Sequence, residues 1–287
     1  MKSRMRTREL IVLLALTLLA LTLSAAAETP ATQQSTPSVT APPAGTPVTQ
    51  GPAGAIVATG PETPRIPEFA ISSPGLETSI AWLWEHDSDT RGGSNGMSSY
   101  PIYPDGRNGL PGRQFVTWYS GNGGERYHLT FGHDTKATHF VYEANVYLVD
   151  PTQIANVEMD MNQVLADGRT VIFGTQCSAH SKSWEYTYVN NTGTHWHGSN
   201  IHCNPHDWGA KKWHKVQIAY HRDEDGNVTY DWVGFDGVYT DFQGATVASA
   251  ESLHWTPGEL LLNFQIDGAY KSGVMDAYLN NLAIYRW

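Results

Sequence analysis

The chain has 287 residues, with 18 Lys and Arg against 28 Asp and Glu, for a formal net charge of −10. This acidic balance excludes binding driven by counterion release from nucleic acid, and adsorption to anionic membranes, since both depend on Lys and Arg. Only two cysteines, Cys177 and Cys203, are present, so at most one internal disulfide can form.

At the start of the chain, Lys2, Arg4, Arg6 and Arg8 precede an apolar run from Leu10 to Leu23, and Ala25, Ala26 and Ala27 follow it. A basic segment, a short apolar core and a small-residue cleavage site predict a secretory signal peptide over 1–27. The apolar run falls short of the roughly 20 residues that a membrane-spanning helix needs. Its removal takes the charge from −10 to −13, because four basic residues and Glu9 leave with it. The protein is therefore expected outside the cytoplasm, secreted, periplasmic or at the cell surface, with no membrane insertion after cleavage. Residues 28–66 hold eight prolines, many Thr and Ala, and no aromatic side chain. Such a segment cannot bury enough apolar surface to offset its ordering entropy, which predicts a disordered, partly polyproline linker.

Residues 67–287 read as one all-β domain. No helical period appears. Short runs rich in Val, Ile, Tyr, Trp and Phe recur between turn clusters, the pattern of a two-sheet antiparallel sandwich or a barrel. Strands are expected at 113–120, 125–131, 138–149, 156–165, 169–178, 183–189, 213–222, 227–237, 259–267 and 275–287. Turns are expected at 166–169 and 223–227, both of which contain Asp-Gly. Residues 86–112 are read as long surface loops. In an oxidising compartment Cys177 and Cys203 are expected to pair.

The stretch "WHKVQIAYHRDEDGNVTYDWVGFDGV" (213–238) resembles the hairpin of concanavalin A-like and laminin G-like jelly rolls. The wider pattern over 113–287 is similar to secreted bacterial proteins of that superfamily. The resemblance implies a two-sheet jelly-roll sandwich, and one such fold serves many activities.

Two strand segments carry the candidate site. In "NVEMDMNQV" (156–164), Val157, Met159 and Met161 alternate with Glu158, Asp160 and Asn162. In "LLLNFQIDG" (260–268), Leu260, Leu262, Phe264 and Ile266 alternate with Asn263, Gln265 and Asp267. Successive strand side chains point to opposite faces, so each segment presents one apolar and one polar row, with neighbours in a row about 7 Å apart. Solvated faces favour Thr, Lys, Ser and Glu, whereas these rows are limited to Asn, Gln, Asp and Glu without a single Lys. Planar amides and carboxylates hold vicinal hydroxyls, and aromatic rings cover the apolar faces of sugars. A polysaccharide or glycoconjugate is the expected partner, bound by Glu158, Asp160, Asn162, Gln176, Gln265 and Asp267 with Trp184 stacking. Trp196 and Trp208 are further stacking candidates, and a monomer is expected.

An enzyme is the alternative. Family-16 glycoside hydrolases, another concanavalin A-like group, carry E-x-D-x-x-E on one strand; Glu158 and Asp160 match the first two positions, and Gln163 departs from the third. A hydrolase here would use Glu158 as nucleophile and Asp267 as acid. A lyase would use Tyr186 or His195 as base with Gln176 or Gln265 holding a carboxylate, and would need a basic residue that neither polar row offers. A plain solvated face and an adhesive surface domain are the remaining readings. No cofactor is implied. Asp87 and Asp89 could give oxygen ligands to a structural calcium. His180, His195, His197, His202, His206 and His214 fit no zinc spacing and are read as loop histidines.

Overall fold

The computed structural model describes residues 66–287; the expected signal peptide and nearly all of the expected linker lie outside them. Seventeen strands follow one another with only three short 3-10 turns between them. They are β1 (Ile71–Pro74), β2 (Leu83–His86), β3 (Gly93–Ile102), β4 (Gly112–Ser120), β5 (Gly124–His133) and β6 (His139–Leu148). Next come β7 (Ile154–Val164), β8 (Thr170–Phe173), β9 (Thr175–Ser178), β10 (Ser183–Asn190), β11 (Gly193–His202) and β12 (Trp213–Arg222). The last are β13 (Asn227–Phe235), β14 (Val238–Ala248), β15 (Ala250–Glu251), β16 (Glu259–Gly268) and β17 (Ser272–Arg286).

Two antiparallel sheets form a jelly-roll sandwich. One runs β14-β13-β12-β6-β17-β4-β3, with β1 also on β17. The other runs β11-β10-β9-β7-β16-β5-β2, with β8 on β7 and β15 on β8. The core lies between them. From β7, Val157, Met159 and Met161 are fully buried, as are Leu260, Leu262, Phe264 and Ile266 from β16. They meet Phe115, Phe140, Tyr142, Tyr220 and Ile284 of the facing sheet in one cluster. Burial of a Leu, Ile, Phe or Met side chain contributes about 1.5–3 kcal/mol each, so these alternates fix which face of each strand points inward.

Residues 86–112 are not simply loop. They include β3, a ten-residue strand that holds one edge of its sheet and pairs with β4. Its composition, "GSNGMSSYPI", lacks the apolar alternation of a half-buried strand because little of it is buried. An edge position also tolerates Pro101, which has no N–H to give a ladder. Strands β2, β11 and β14 are likewise edges, mostly exposed, and had no sequence signal for the same reason. The expected strand at 169–178 is two strands, β8 and β9, parted at Gly174. Between β13 and β14, Asp236 and Gly237 take φ of 49° and 81°, the left-handed pair that a two-residue hairpin turn requires.

Cys177 of β9 and Cys203, just beyond β11, form the expected disulfide, 26 residues apart in sequence. Both are buried in the core cluster. Among the described residues no helix is long and apolar enough to cross a membrane.

Candidate functional site

The two polar rows are neighbours. Strand β16 pairs with β7 so that Gln265 stands opposite Glu158, Asn263 opposite Asp160 and Asp267 opposite Asn156. The apolar alternates of both strands are in the core, so these groups are committed to the outer face of the sheet. The central row continues in both directions. Gln265 faces Arg126 on β5 and Arg126 faces Glu85 on β2, while Glu158 faces Gln176 on β9 and Gln176 faces Glu185 on β10. Six strands thus contribute one polar ladder, Glu85–Arg126–Gln265–Glu158–Gln176–Glu185. With strands about 4.8 Å apart, five steps make it about 24 Å long.

The four central members of this ladder, Arg126, Gln265, Glu158 and Gln176, floor a groove of about 710 Å³. One end is closed by Asp87, Asp89 and Thr90, and the far wall is built from the β11 turn and the 251–255 segment. Two tryptophans, Trp196 and Trp255, line that wall, each 37 % exposed. The floor is tightly hydrogen-bonded. Gln265 Nε2 donates to Asp87 Oδ2 and to Asp267 Oδ1, both at 3.0 Å. Asn156 Nδ2 donates to Asp267 Oδ2 at 2.9 Å, and the Thr175 N–H donates to Asp160 Oδ1 at 3.0 Å. Gln176 Nε2 donates to Glu185, and Arg126 Nη2 donates to Glu85 Oε1 at 2.7 Å. Opposite Asp267 stands Gly124. A Cβ there would sit 2.0 Å from Asp267 Oδ1, so only glycine lets that carboxyl lie across the strand.

Burial governs the ionisation of these acids. Glu158 is held well above the usual carboxylate range, first by desolvation, then by the charge of Asp160 and a hydrogen bond with it, with Asp267 and Asp87 adding repulsion. Desolvation raises Asp160 to about 6 against the hydrogen bonds from Glu158 and Thr175 that oppose it. Asp267 is also raised to about 6 by desolvation, and its bonds from Asn156 and Gln265 only partly offset this. Glu158 and Asp160 thus hold their protons to higher pH than free carboxyls do.

Of the sequence candidates, Glu158, Asp160, Asn162, Gln176, Gln265 and Asp267 all line this one groove. Trp184 does not. It is 2 % exposed and belongs to the core cluster. Its strand partner is Cys177, on the face opposite the Gln176–Glu185 pair, so it has no surface to offer a sugar. Trp208 is also core, packed on Phe235 and His214. Trp196 is the candidate that reaches the groove. Gln163 faces away from the row that holds Glu158 and Asp160. It is fully buried, donates to the Asp134 and Ala137 carbonyls and accepts from Arg222 Nε. The third groove-face position of the strand is instead Asn162, an amide with no proton to give.

The proposed lyase bases are misplaced as well. Tyr186 packs in the core against Tyr230 and Phe242. His195 lies on the face of β11 away from Thr194 and Trp196, bonded to Asn190 and Thr192. A basic residue is nevertheless present: Arg126, supplied by β5 rather than by either polar row. Its signal in the sequence was the alternation in "ERYHLTF", where Glu125, Tyr127 and Leu129 are buried and Arg126 faces out. Asp87, the calcium candidate, is buried and accepts from Gln265, and Asp89 lies at the groove end. Among the described residues no three His, Cys, Asp or Glu side chains converge as a metal would require.

No family model matches the chain, and no curated protein does. Solved structures do. The chain is similar to a Bacillus licheniformis β-glucanase at 13 % identity and TM-score 0.37, over 76 % of this chain and 97 % of that one. It is similar to an alginate lyase from Chlorella virus at 12 % identity and TM-score 0.41, over 71 % and 93 %. A lectin, UEA-II, complexed with galactose matches at 8 % identity and TM-score 0.35, over 75 % and 97 %. At these levels the likeness concerns the fold, and what the groove does is argued from its own residues.

Proposed function

We propose that the protein is an exported glycan-binding module whose groove holds a polysaccharide or glycoconjugate along the outer face of the second sheet. The observation that carries this reading is the groove floor of amides and carboxyls, with Arg126, Gln265, Glu158 and Gln176 drawn from four adjacent strands, beside two half-exposed tryptophans. A chain of sugars needs an elongated floor of paired donors and acceptors with flat apolar surface at its side, and Glu158, Asp160, Gln176 and Gln265 with Trp196 and Trp255 supply both. The floor side chains are braced by one another and by the core alternates, so little ordering remains for the ligand to drive.

One observation favours a second reading, cleavage of the same ligand. A carboxyl whose pKa is raised toward neutrality is what a general acid needs, and desolvation raises Asp267 to about 6. In that reading Asp267 protonates the leaving group and Glu158, in its ionised form, attacks the sugar. Binding across a glycan array, with reducing-end release measured on the same panel, separates the two. Under the binding reading no reducing ends appear, and Glu158→Gln weakens binding by about 1–3 kcal/mol. Turnover that Glu158→Gln abolishes would replace the binding reading with the catalytic one.

A further inference from the structure

We propose that the groove selects a glycan bearing free amino groups, a polymer of 2-amino-2-deoxy sugars, over neutral and N-acetylated chains. The inference rests on the glycan-binding reading and concerns which glycan it is. Six acids line the groove, namely Asp87, Asp89, Glu158, Asp160, Glu251 and Asp267, and one base, Arg126. That base is already paired with Glu85 at 2.7 Å. A uronic-acid chain would meet like charge along the whole floor, and a neutral chain would leave the charge unanswered.

The hydrogen-bond inventory points the same way. Asn162 and Gln176 are 3 % and 4 % exposed, and both face the groove. Their oxygens, Asn162 Oδ1 and Gln176 Oε1, have no hydrogen-bond partner, and neither does Asn156 Oδ1 beside Asp267. All three are acceptors with almost no exposed surface of their own, while the amide donors of Gln265, Asn156 and Gln176 are engaged by Asp87, Asp267 and Glu185. A ligand that answers the excess of carboxyls brings donors and positive charge, and an ammonium brings three N–H groups and no acceptor. Among the described residues no three of these acids are arranged to hold a metal ion, so the negative charge of the groove is read as a match for ammonium groups. Each ammonium seated between carboxylates also relieves the repulsion from Asp160, Asp267 and Asp87 that adds to desolvation in raising Glu158.

The test is calorimetric titration at low ionic strength with three oligomers of equal length: β-linked glucosamine, its fully N-acetylated form and a neutral glucan. The glucosamine oligomer is expected to bind at least about tenfold tighter than either, with the advantage shrinking as salt is added. Arg126→Gln removes the base that lines the groove and is expected to raise the ratio of glucosamine to glucan affinity. Asp160→Asn is expected to weaken glucosamine binding more than glucan binding, in protein whose circular dichroism matches the parent. Equal affinity for the three oligomers overturns the inference and leaves the glycan reading intact. Absence of glucosamine binding, with another member of the array bound through the groove, does the same. Silence across the whole array overturns both.

Discussion

Replacing Asp267 by Asn should change how stability depends on pH, and the structure sets both sign and size. Asp267 is 7 % exposed, and its pKa rises from 3.8 to about 6, chiefly through desolvation. At 1.36 kcal/mol per unit this shift is worth about 3 kcal/mol. Because the folded value is raised, the contribution favours the native state below the unfolded pKa and is lost as pH rises through about 6. Asn keeps one oxygen for the Gln265 or Asn156 amide and never ionises. Urea unfolding of both proteins at about pH 4 and about pH 7.5 should therefore show the parent losing up to about 3 kcal/mol relative to the variant on going to the higher pH. Taking the difference cancels the acids that move the other way, such as Asp134, held below its usual value by backbone N–H groups and Arg286. A difference that does not change with pH, or one in which the parent gains on the variant as pH rises, would refute the account of Asp267 as a carboxyl forced into a dry floor.

Three other outcomes are expected. Replacing both Cys177 and Cys203 by Ser opens a loop of 26 residues, for which the chain-entropy model gives a loss of about 3.5 kcal/mol; an unchanged urea midpoint would show the bridge to be idle. Trp184→Ala should cost about 3–5 kcal/mol of stability because the ring fills the core, whereas Trp196→Ala should leave the melting temperature alone and weaken glycan binding by about 1 kcal/mol. A chain beginning at Pro67 should keep the melting temperature and ligand affinity of the mature protein, and a loss of several degrees would show that residues 28–66 pack on the sandwich.

The polar rows of β7 and β16 were legible because period-two alternation assigns faces without any knowledge of pairing. The same rule shows why Trp184 could not be placed. Within "SWEYTYV" the alternates are tryptophan and tyrosines on one side and Glu185 and Thr187 on the other, and an aromatic row suits a core as well as a binding wall. Only the register, which sets Trp184 against Cys177 and Glu185 against Gln176, decides the matter. Arg126 was missed for a related reason. Its strand was expected, but nothing local shows that β5 lies beside β16, a pairing between segments far apart in the chain. The edge strands β3, β11 and β14 were hidden because a strand with one neighbour and little burial has no apolar alternation to display.

The groove and the core are set by the same residues, and this bears on how a strained floor persists. A one-residue slip of β7 would bring Glu158, Asp160 and Asn162 inward and turn Val157, Met159 and Met161 out. Three fully buried apolar side chains resist that slip by about 1.5–3 kcal/mol each, with four more on β16 acting in the same sense. Against this stand the desolvated carboxyls, whose penalty at neutral pH is of the order worked out for Asp267. The apolar alternates outweigh it, so the acids cannot escape to water by slipping, and they cannot all ionise freely where they are. Their remaining relief is a partner carrying donors and positive charge into the groove. Such a partner would lower the pKa values of Glu158, Asp160 and Asp267 together and expel protons that Asp160 and Asp267, each raised to about 6, still hold near that pH. Binding of an amino-bearing glycan near pH 6 should therefore release protons, seen as a binding heat that varies with the ionisation enthalpy of the buffer, whereas a neutral glycan leaves that heat unchanged.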